Sequence, residues 1–174
     1  MRGEGADSDA AHVLVTGGAE AATAVDGESN VLGVTYGSDA ESWLSRLAEG
    51  ADRRVVVSVG EQSRSAAATA SGVEPVTATA GVVETVEDET DVGAVGVLVH
   101  EYLSAWEGEP ATVYVDGVER LLDAVPAEDA FRFLHAVLAR ADAAGATVVA
   151  SLDAAAYPGH VVETFAELFD DVRA

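Results

Sequence analysis

Short apolar runs, separated by polar or glycine-rich stretches, recur along the chain. Each run is apolar throughout rather than alternating, which is typical of strands in a parallel sheet that is covered on both faces. Several runs are followed by apolar residues at helical spacing. Strand and helix therefore alternate, and the sequence predicts a three-layer α/β fold, with a mainly parallel sheet and helices on both faces. The predicted strands cover residues 12–16, 30–35, 54–59, 111–115 and 146–151, with a brief additional strand near 76–78.

Four helices are predicted between and after these strands. Ser38 or Asp39 can cap the first, and Asp91 caps the second. The third begins near Ala127 and ends at Gly145, where a C-cap glycine is expected, and Pro158 opens the fourth. The apolar positions on the four core faces are Trp43, Leu44 and Leu47; Val92, Val95, Val99, Tyr102, Leu103 and Trp106; Phe131, Leu134, Leu138 and Ala141; and Val161, Phe165, Leu168 and Phe169.

Residues 60–90 show the least regular pattern. Their acidic run, which contains Glu84, Glu87, Asp88 and Glu89, predicts a solvated loop. The Ala- and Thr-rich stretch 63–81 is longer than an ordinary connection, and loops of that length are usually functional or disordered. We therefore expect a contact surface in this stretch.

The length and composition favour one domain. The chain has 174 residues, and we expect the domain to span 12–174 after a disordered acidic segment, 1–11. Without cysteine, neither a disulfide nor a thiolate metal site is possible. The start does not resemble a signal peptide, and the apolar runs are far shorter than the roughly 20 residues that cross a bilayer. These features predict a cytoplasmic protein with no membrane partner.

Charge is the strongest compositional signal. The chain has 31 Asp and Glu against 9 basic residues, all of them arginine, which gives a net charge of −22. Self-repulsion of this size destabilises a compact state in dilute buffer and is screened at molar salt. The composition resembles that of halophilic archaeal proteins. It also argues against nucleic acid as a partner, because no basic stripe is present.

Ligands of parallel α/β sheets bind beyond the carboxyl ends of the strands. The residues expected there are Thr16, Gly17 and Gly18; Thr35 and Tyr36; Asp116; and Ser151 and Asp153. Of these, Gly17, Gly18, Asp116 and Asp153 are weak candidates for binding a cofactor. No nucleophile–base pair is predicted among them, and we expect no catalytic residue.

A phosphate-binding loop is not expected after the first strand. Such a loop requires G-x-x-x-x-G-K-[ST], whose amides hold the phosphates while the lysine neutralises them. Gly17 and Gly18 are followed by Glu20 and by no lysine. The glycines therefore predict a turn, and Asp116 is interpreted either as the acid that holds a magnesium-bound water in nucleotide hydrolases or as the cap of the following turn.

No metal site or resident cofactor is predicted. The four histidines lie far apart in the sequence, and none has the i,i+4 partner of a helical metal site. We expect His100 and His135 to lie on exposed helix faces. The complete set is His12, His100, His135 and His160.

The order of these features resembles the RecA/KaiC-like ATPase core. More closely, it resembles a haloarchaeal family of unknown function that is a degenerate offshoot of that core. The resemblance runs from His12 to Asp171. It implies a P-loop NTPase fold in which Asp116 takes the Walker B position, while the Walker A lysine has no counterpart. The segments that carry it are NVLGVTY (30–36), RVVVSVG (54–60), TVYVDGVERLL (112–122), FRFLHAVLARADAAGATVVAS (131–151) and FAELFD (165–170).

The resemblance also implies a place for each strand. We expect the Asp116 strand to be central, with the strands 12–16 and 146–151 next to it. Strand 12–16 is expected to lie between the Asp116 strand and strand 146–151. On function, it implies a non-catalytic regulatory or protein-interaction module whose partner is another protein or a second copy. The alternative is a residual nucleotide-binding protein or weak ATPase that uses Asp116.

Overall fold

The computed structural model describes residues 12–16, 30–36, 53–60, 76–78 and 81–173. Within these ranges, eight strands form a single sheet. They are β1 (Val13–Val15), β2 (Asn30–Thr35), β3 (Arg54–Val59), β4 (Val76–Ala78), β5 (Gly81–Val86), β6 (Ala111–Asp116), β7 (Thr147–Ser151) and β8 (Asp171–Arg173). The described helices are α1 (Val92–Ala105), α2 (Val118–Ala124), α3 (Ala127–Ala144) and α4 (Gly159–Ala166), with a 3-10 turn at Ala154–Ala156.

The strand order is β4-β5-β3-β2-β6-β7-β1-β8. All neighbouring pairs are parallel except β4 and β5, which are antiparallel. The sequence-based prediction of an α/β fold with a mainly parallel sheet is therefore confirmed. No helix in the described ranges is long and apolar enough to cross a membrane.

The central position of the Asp116 strand is confirmed, but one predicted neighbour is wrong. β6 pairs with β2 on one side and with β7 on the other. β1 does not lie between β6 and β7; it pairs with β7 and β8. Consecutive strands tend to lie side by side, and the helical connection 118–146 brings β7 directly next to β6, so that β1 is left with the far edge of β7.

The sequence explains the boundaries of α1 and α3. The Asp91 side chain accepts a hydrogen bond from the Ala94 amide at 3.0 Å, as its predicted role as N-cap requires. Gly145 ends α3 with a φ of 74°, a left-handed conformation that glycine adopts without steric cost.

The main core lies between the sheet and α1 to α4. α1 contributes Val95, Val99 and Leu103, and the inner strands of the sheet contribute alternate residues, such as Val113 and Val115 of β6. On the opposite face of the sheet, side chains such as Tyr114 and Val56 are also buried. Burial on both faces agrees with the uninterrupted apolar runs from which a parallel sheet was predicted.

Several elements differ from the sequence-based expectation. The acidic run 84–89 is only partly a loop, because Glu84 lies in β5 and accepts a hydrogen bond from the Tyr102 hydroxyl at 2.6 Å. The stretch 63–81 contains β4, which confirms the brief strand predicted near 76–78, and it ends in the first residue of β5, which was not predicted. The predicted helix after Ser38 or Asp39, residues 63–75 and 79–80 of the proposed contact stretch 63–81, and the acidic segment 1–11 fall outside the described residues.

Candidate functional site

The carboxyl ends of β2, β3, β6 and β7 bring polar side chains to one edge of the sheet. Asp116, the last residue of β6, is at the centre of this group and is 6% exposed. Its Oδ1 accepts a hydrogen bond of 2.8 Å from the Ser151 hydroxyl, which ends the neighbouring β7. The structure therefore brings together two residues that the sequence placed separately at strand ends.

Ser151 is held from the other side by the backbone of Gly117. The Gly117 amide donates to Ser151 Oγ at 3.1 Å, so the hydroxyl accepts one hydrogen bond while it donates the other to Asp116. Gly117 has a φ of 89°, a left-handed conformation that turns the chain sharply from β6 into α2. The resulting relay, Gly117 amide to Ser151 hydroxyl to Asp116 carboxylate, ties the ends of β6 and β7 together.

A row of buried polar side chains continues from Asp116 across the sheet. Thr35 of β2 is in register with Asp116, and Ser58 of β3 is in register with Thr35. Register partners in parallel strands point to the same face. Ser58 is 1% exposed, and its hydroxyl has no hydrogen-bond partner among the residues that the structure describes. A buried hydroxyl left unpaired is unusual, since most buried polar atoms have a partner.

The sequence predicted Thr35 and Asp116 for this row but missed Ser58. The available signal was a single hydroxyl within an otherwise apolar strand, RVVVSV. Because serine is common in many contexts, that signal becomes informative only when the register with Thr35 is known.

Asp153 lies apart from the relay and caps local structure. It is exposed, and its carboxylate accepts a hydrogen bond from the Ala155 amide at 3.1 Å. Its own amide donates to Glu119 Oε1 at 3.0 Å. Both interactions fix the turn that follows β7, so Asp153 acts as a turn cap in this arrangement.

Tyr157 forms a second polar contact near this turn. Its hydroxyl donates to the Asp123 carboxylate and also lies 3.2 Å from the Glu119 carbonyl oxygen. Burial, the hydrogen bond to Asp123 and the charges of Asp123 and Glu119 raise the pKa of Tyr157 to about 12. The phenol therefore stays protonated at neutral pH and holds the turn against α2.

The remaining candidates do not join the relay. The Tyr36 side chain belongs to the core on the opposite face from Asp116, and burial followed by the charge of Glu89 raises its pKa well above the ordinary value. Thr16 follows β1, where its amide and hydroxyl both donate to the Arg173 carbonyl oxygen. Gly17 and Gly18 fall outside the described residues.

His100, His135 and His160 are exposed, as expected for the first two, whereas His12 is buried. Among the residues that the structure describes, no three His, Asp or Glu side chains are grouped closely enough to hold a metal ion.

The chemistry available to the relay is limited. Ser151 uses its only proton in the hydrogen bond to Asp116 and one lone pair in the bond from Gly117. A nucleophilic serine needs an adjacent base that takes its proton in the transition state, usually a histidine oriented by a third group. Within the described ranges no histidine is hydrogen-bonded to Ser151, and the two hydrogen bonds of its hydroxyl join the end of β7 to the end of β6.

These features define an α/β protein with a mainly parallel sheet and a buried carboxylate at the end of a central strand. The chain belongs to DUF7504, a family of unknown function, and the match covers residues 3–172. No curated protein matches the sequence. A solved protein from Pyrococcus horikoshii OT3 is similar with a TM-score of 0.44 and 11% sequence identity, over 86% of this chain and 83% of that chain.

Proposed function

We propose that this chain is a non-catalytic regulatory or protein-interaction module built on a degenerate RecA/KaiC-like ATPase fold. In this proposal the protein acts in the cytoplasm of a salt-adapted cell, and its partner is another protein or a second copy. The fold serves as a scaffold, and its outer surface carries the function.

The observation that carries the proposal is the hydrogen bond between Ser151 and Asp116. In a RecA/KaiC-like enzyme, Asp116 would be the acid that holds a magnesium-bound water. Here its Oδ1 is 2.8 Å from the Ser151 hydroxyl, and the carboxylate is buried. An acid that joins two strand ends in this way has a structural use that does not depend on a ligand.

Charge supports the same conclusion. The chain has no lysine, and a net charge of −22 repels the phosphates of a nucleotide. Phosphoryl transfer depends on positioning and on cations that neutralise the developing charge. Binding to a protein surface does not require cations that neutralise a developing phosphate charge.

The test is phosphate release from ATP in high KCl with magnesium. We expect no turnover above background for the natural chain and no difference for Asp116→Asn. Turnover of about one per second, within the ordinary range of enzymes, that is lost in Asp116→Asn would overturn the proposal.

A residual nucleotide-binding site is the second candidate. The observation in its favour is the polar row at the carboxyl edge, in which the buried Ser58 hydroxyl has no hydrogen-bond partner within the described part of the chain. A ligand that binds the native state raises the melting temperature. A titration with ATP and magnesium in molar KCl that raises the melting temperature of the natural chain, but not of Ser58→Ala, would favour this candidate over the interaction module.

A further inference from the structure

A groove on the outer face of the helical layer has no role in the site described above. It lies between α1 and α3 and has a volume of about 460 Å³. The residues that matter for its properties are Gly93, Gly96, Val97, Glu101, Ala136 and Arg140, and together they define the α1–α3 groove. Val97 is 56% exposed, and in the described part of the chain only Val172 is a comparably exposed large apolar residue.

The two glycines of the groove are not required by the packing of this chain. Among the described residues, a Cβ at Gly96 would meet no atom within 4 Å, and one at Gly93 would meet only Asp91 Oδ1 at an ordinary 3.6 Å. Glycine inside a helix costs about 1 kcal/mol relative to alanine. The bare backbone therefore lowers the stability of α1 and opens space that something outside the chain could use.

Arg140 provides an unsatisfied charge in the same groove. Its terminal nitrogen donates to Ser104 Oγ at 2.7 Å, whereas its Nε is buried and has no hydrogen-bond partner in the part of the chain that the structure describes. No ion pair joins Arg140 to an acid in the described ranges, although the chain carries 31 acidic residues. Because arginine pairs well with a carboxylate in a fork geometry, the groove is suited to a partner that supplies one.

The groove itself also holds the matching acid. Glu101 is exposed, lines the groove and is the only acidic residue of α1. The lining residues of the groove include one acid and one arginine, and Asp91 borders the groove beside Gly93, so the patch carries little net charge for a chain of net charge −22. Two copies that approach through this patch avoid most of the repulsion that opposes contact elsewhere.

We infer that the α1–α3 groove binds the same groove of a second copy across a two-fold axis. In such an interface each contact occurs twice, so Arg140 of each copy faces Glu101 of the other. Val97 of each copy then packs over the bare backbone at Gly93 and Gly96 of the other. This inference rests on the proposed function, since it names a second copy as the partner of the interaction module.

Light scattering and sedimentation equilibrium in molar KCl, over a range of protein concentrations, test the inference. The natural chain should show twice the monomer mass. Arg140→Glu and Glu101→Arg should each weaken the dimer at least about tenfold, as expected for loss of a close charge pair. The double variant, in which the two charges are exchanged, should restore it. Val172→Ser, on the edge strand β8, serves as the control and should leave the mass unchanged.

The glycines provide an independent readout. Alanine at Gly93 and Gly96 should raise the melting temperature, because helix propensity improves and the Cβ atoms meet open space. The same change should weaken the dimer, because the partner can no longer approach the backbone. If the glycines served only the packing of the chain itself, the melting temperature and the strength of the dimer would fall together.

The outcomes distinguish this inference from the proposed function. A natural chain that stays monomeric at every concentration overturns the second copy as partner. A dimer that survives both the single charge reversals and the alanine variants shows that the interface lies elsewhere and also overturns the inference. Neither result bears on ATP turnover, which tests the proposed function separately.

Discussion

The Nδ1 atom of His12 accepts a hydrogen bond from the backbone amide of Val148 at 3.0 Å. Because Nδ1 is the acceptor, the ring hydrogen is on Nε2, which lies 2.7 Å from Asp142 Oδ1 and donates to it. His12 thus joins the start of β1 to β7 and α3. Among the four histidines of the sequence, it is the one with a buried structural role.

Replacing His12 with leucine should lower the free energy of unfolding by about 1–3 kcal/mol, because the Val148 amide loses its acceptor in a buried position. Asp142→Asn is the matched control. The Asp142 side chain is 60% exposed, and asparagine keeps an acceptor oxygen, so the expected loss is below about 1 kcal/mol. Denaturant unfolding in high salt would measure both. Equal losses of stability in the two variants would contradict the assignment of His12 Nδ1 as the acceptor for the Val148 amide.

Ser151→Ala should destabilise the protein more than Asp116→Asn. Alanine leaves both the Gly117 amide and Asp116 Oδ1 without the Ser151 hydroxyl, at a cost of about 1–3 kcal/mol. Asparagine at position 116 still offers an oxygen to Ser151. Unfolding midpoints of the two variants and of Thr164→Ala, an exposed hydroxyl on α4, would show the order. The relay has no structural importance if Ser151→Ala behaves like Thr164→Ala.

Val115→Asp should prevent folding. Val115 is 0% exposed and lies in register between Val34 of β2 and Ala150 of β7, so a carboxylate there would be buried without a partner. Val172→Asp, at a position 46% exposed on β8, should fold normally. Circular dichroism of both proteins gives the comparison. A folded and soluble Val115→Asp variant would refute the central position of β6.

Stability should fall at alkaline pH because three tyrosines, Tyr36, Tyr102 and Tyr157, have raised pKa values in the folded protein. The pKa of Tyr157 is raised to about 12, and burial and the hydrogen bond to Glu84 raise that of Tyr102 above its ordinary value. A raised pKa in the folded state stabilises the protein below the unfolded value of about 10. That contribution is lost as the pH rises through the folded pKa.

Urea midpoints measured from neutral to strongly alkaline pH should therefore be level up to about pH 10 and decline above it. Tyr102→Phe removes the Glu84 hydrogen bond, so it should lower stability at neutral pH and make the alkaline decline shallower. An identical decline in the variant would exclude Tyr102 as a contributor.

The melting temperature should rise with salt. A net charge of −22 favours expansion of the chain through self-repulsion. Salt weakens this repulsion, because the Debye screening length falls from about 10 Å at 0.1 M to about 3 Å at 1 M ionic strength. Far-UV circular dichroism across KCl concentrations measures the effect. A melting temperature that is unchanged between about 0.1 M and 2 M KCl would contradict the expectation, because the repulsion would then be too weak to matter.

Strands with uninterrupted apolar runs were predictable from the sequence. β2 and β3 were predicted at their observed bounds, because burial on both faces leaves no position for a polar side chain except where a partner is in register. The cap of α1 at Asp91 followed from the preference of the first helical turn for a carboxylate acceptor.

Three elements were missed, each for a physical reason. β5 contains Glu84, whose pairing with the Tyr102 hydroxyl cannot be inferred from local sequence. α2 begins directly after the left-handed Gly117 and was interpreted as a turn. β8 is exposed at all three residues, so it has no apolar pattern and depends on pairing with β1. The relay was missed as a unit because Asp116 and Ser151 meet only when β6 and β7 are neighbours.

The position of β1 has a consequence for synthesis. The segment that begins at His12 is bound by Val148, 136 positions later, and by Asp170, 158 positions later. At a translation rate of about 5–20 residues per second, its partners emerge on the order of ten seconds after it does. During that interval an apolar strand is exposed to other nascent chains. Repulsion between acidic chains would oppose premature pairing only at low ionic strength, because molar salt screens it to within about 3 Å, so in high salt the exposed strand depends on rapid completion of the sheet.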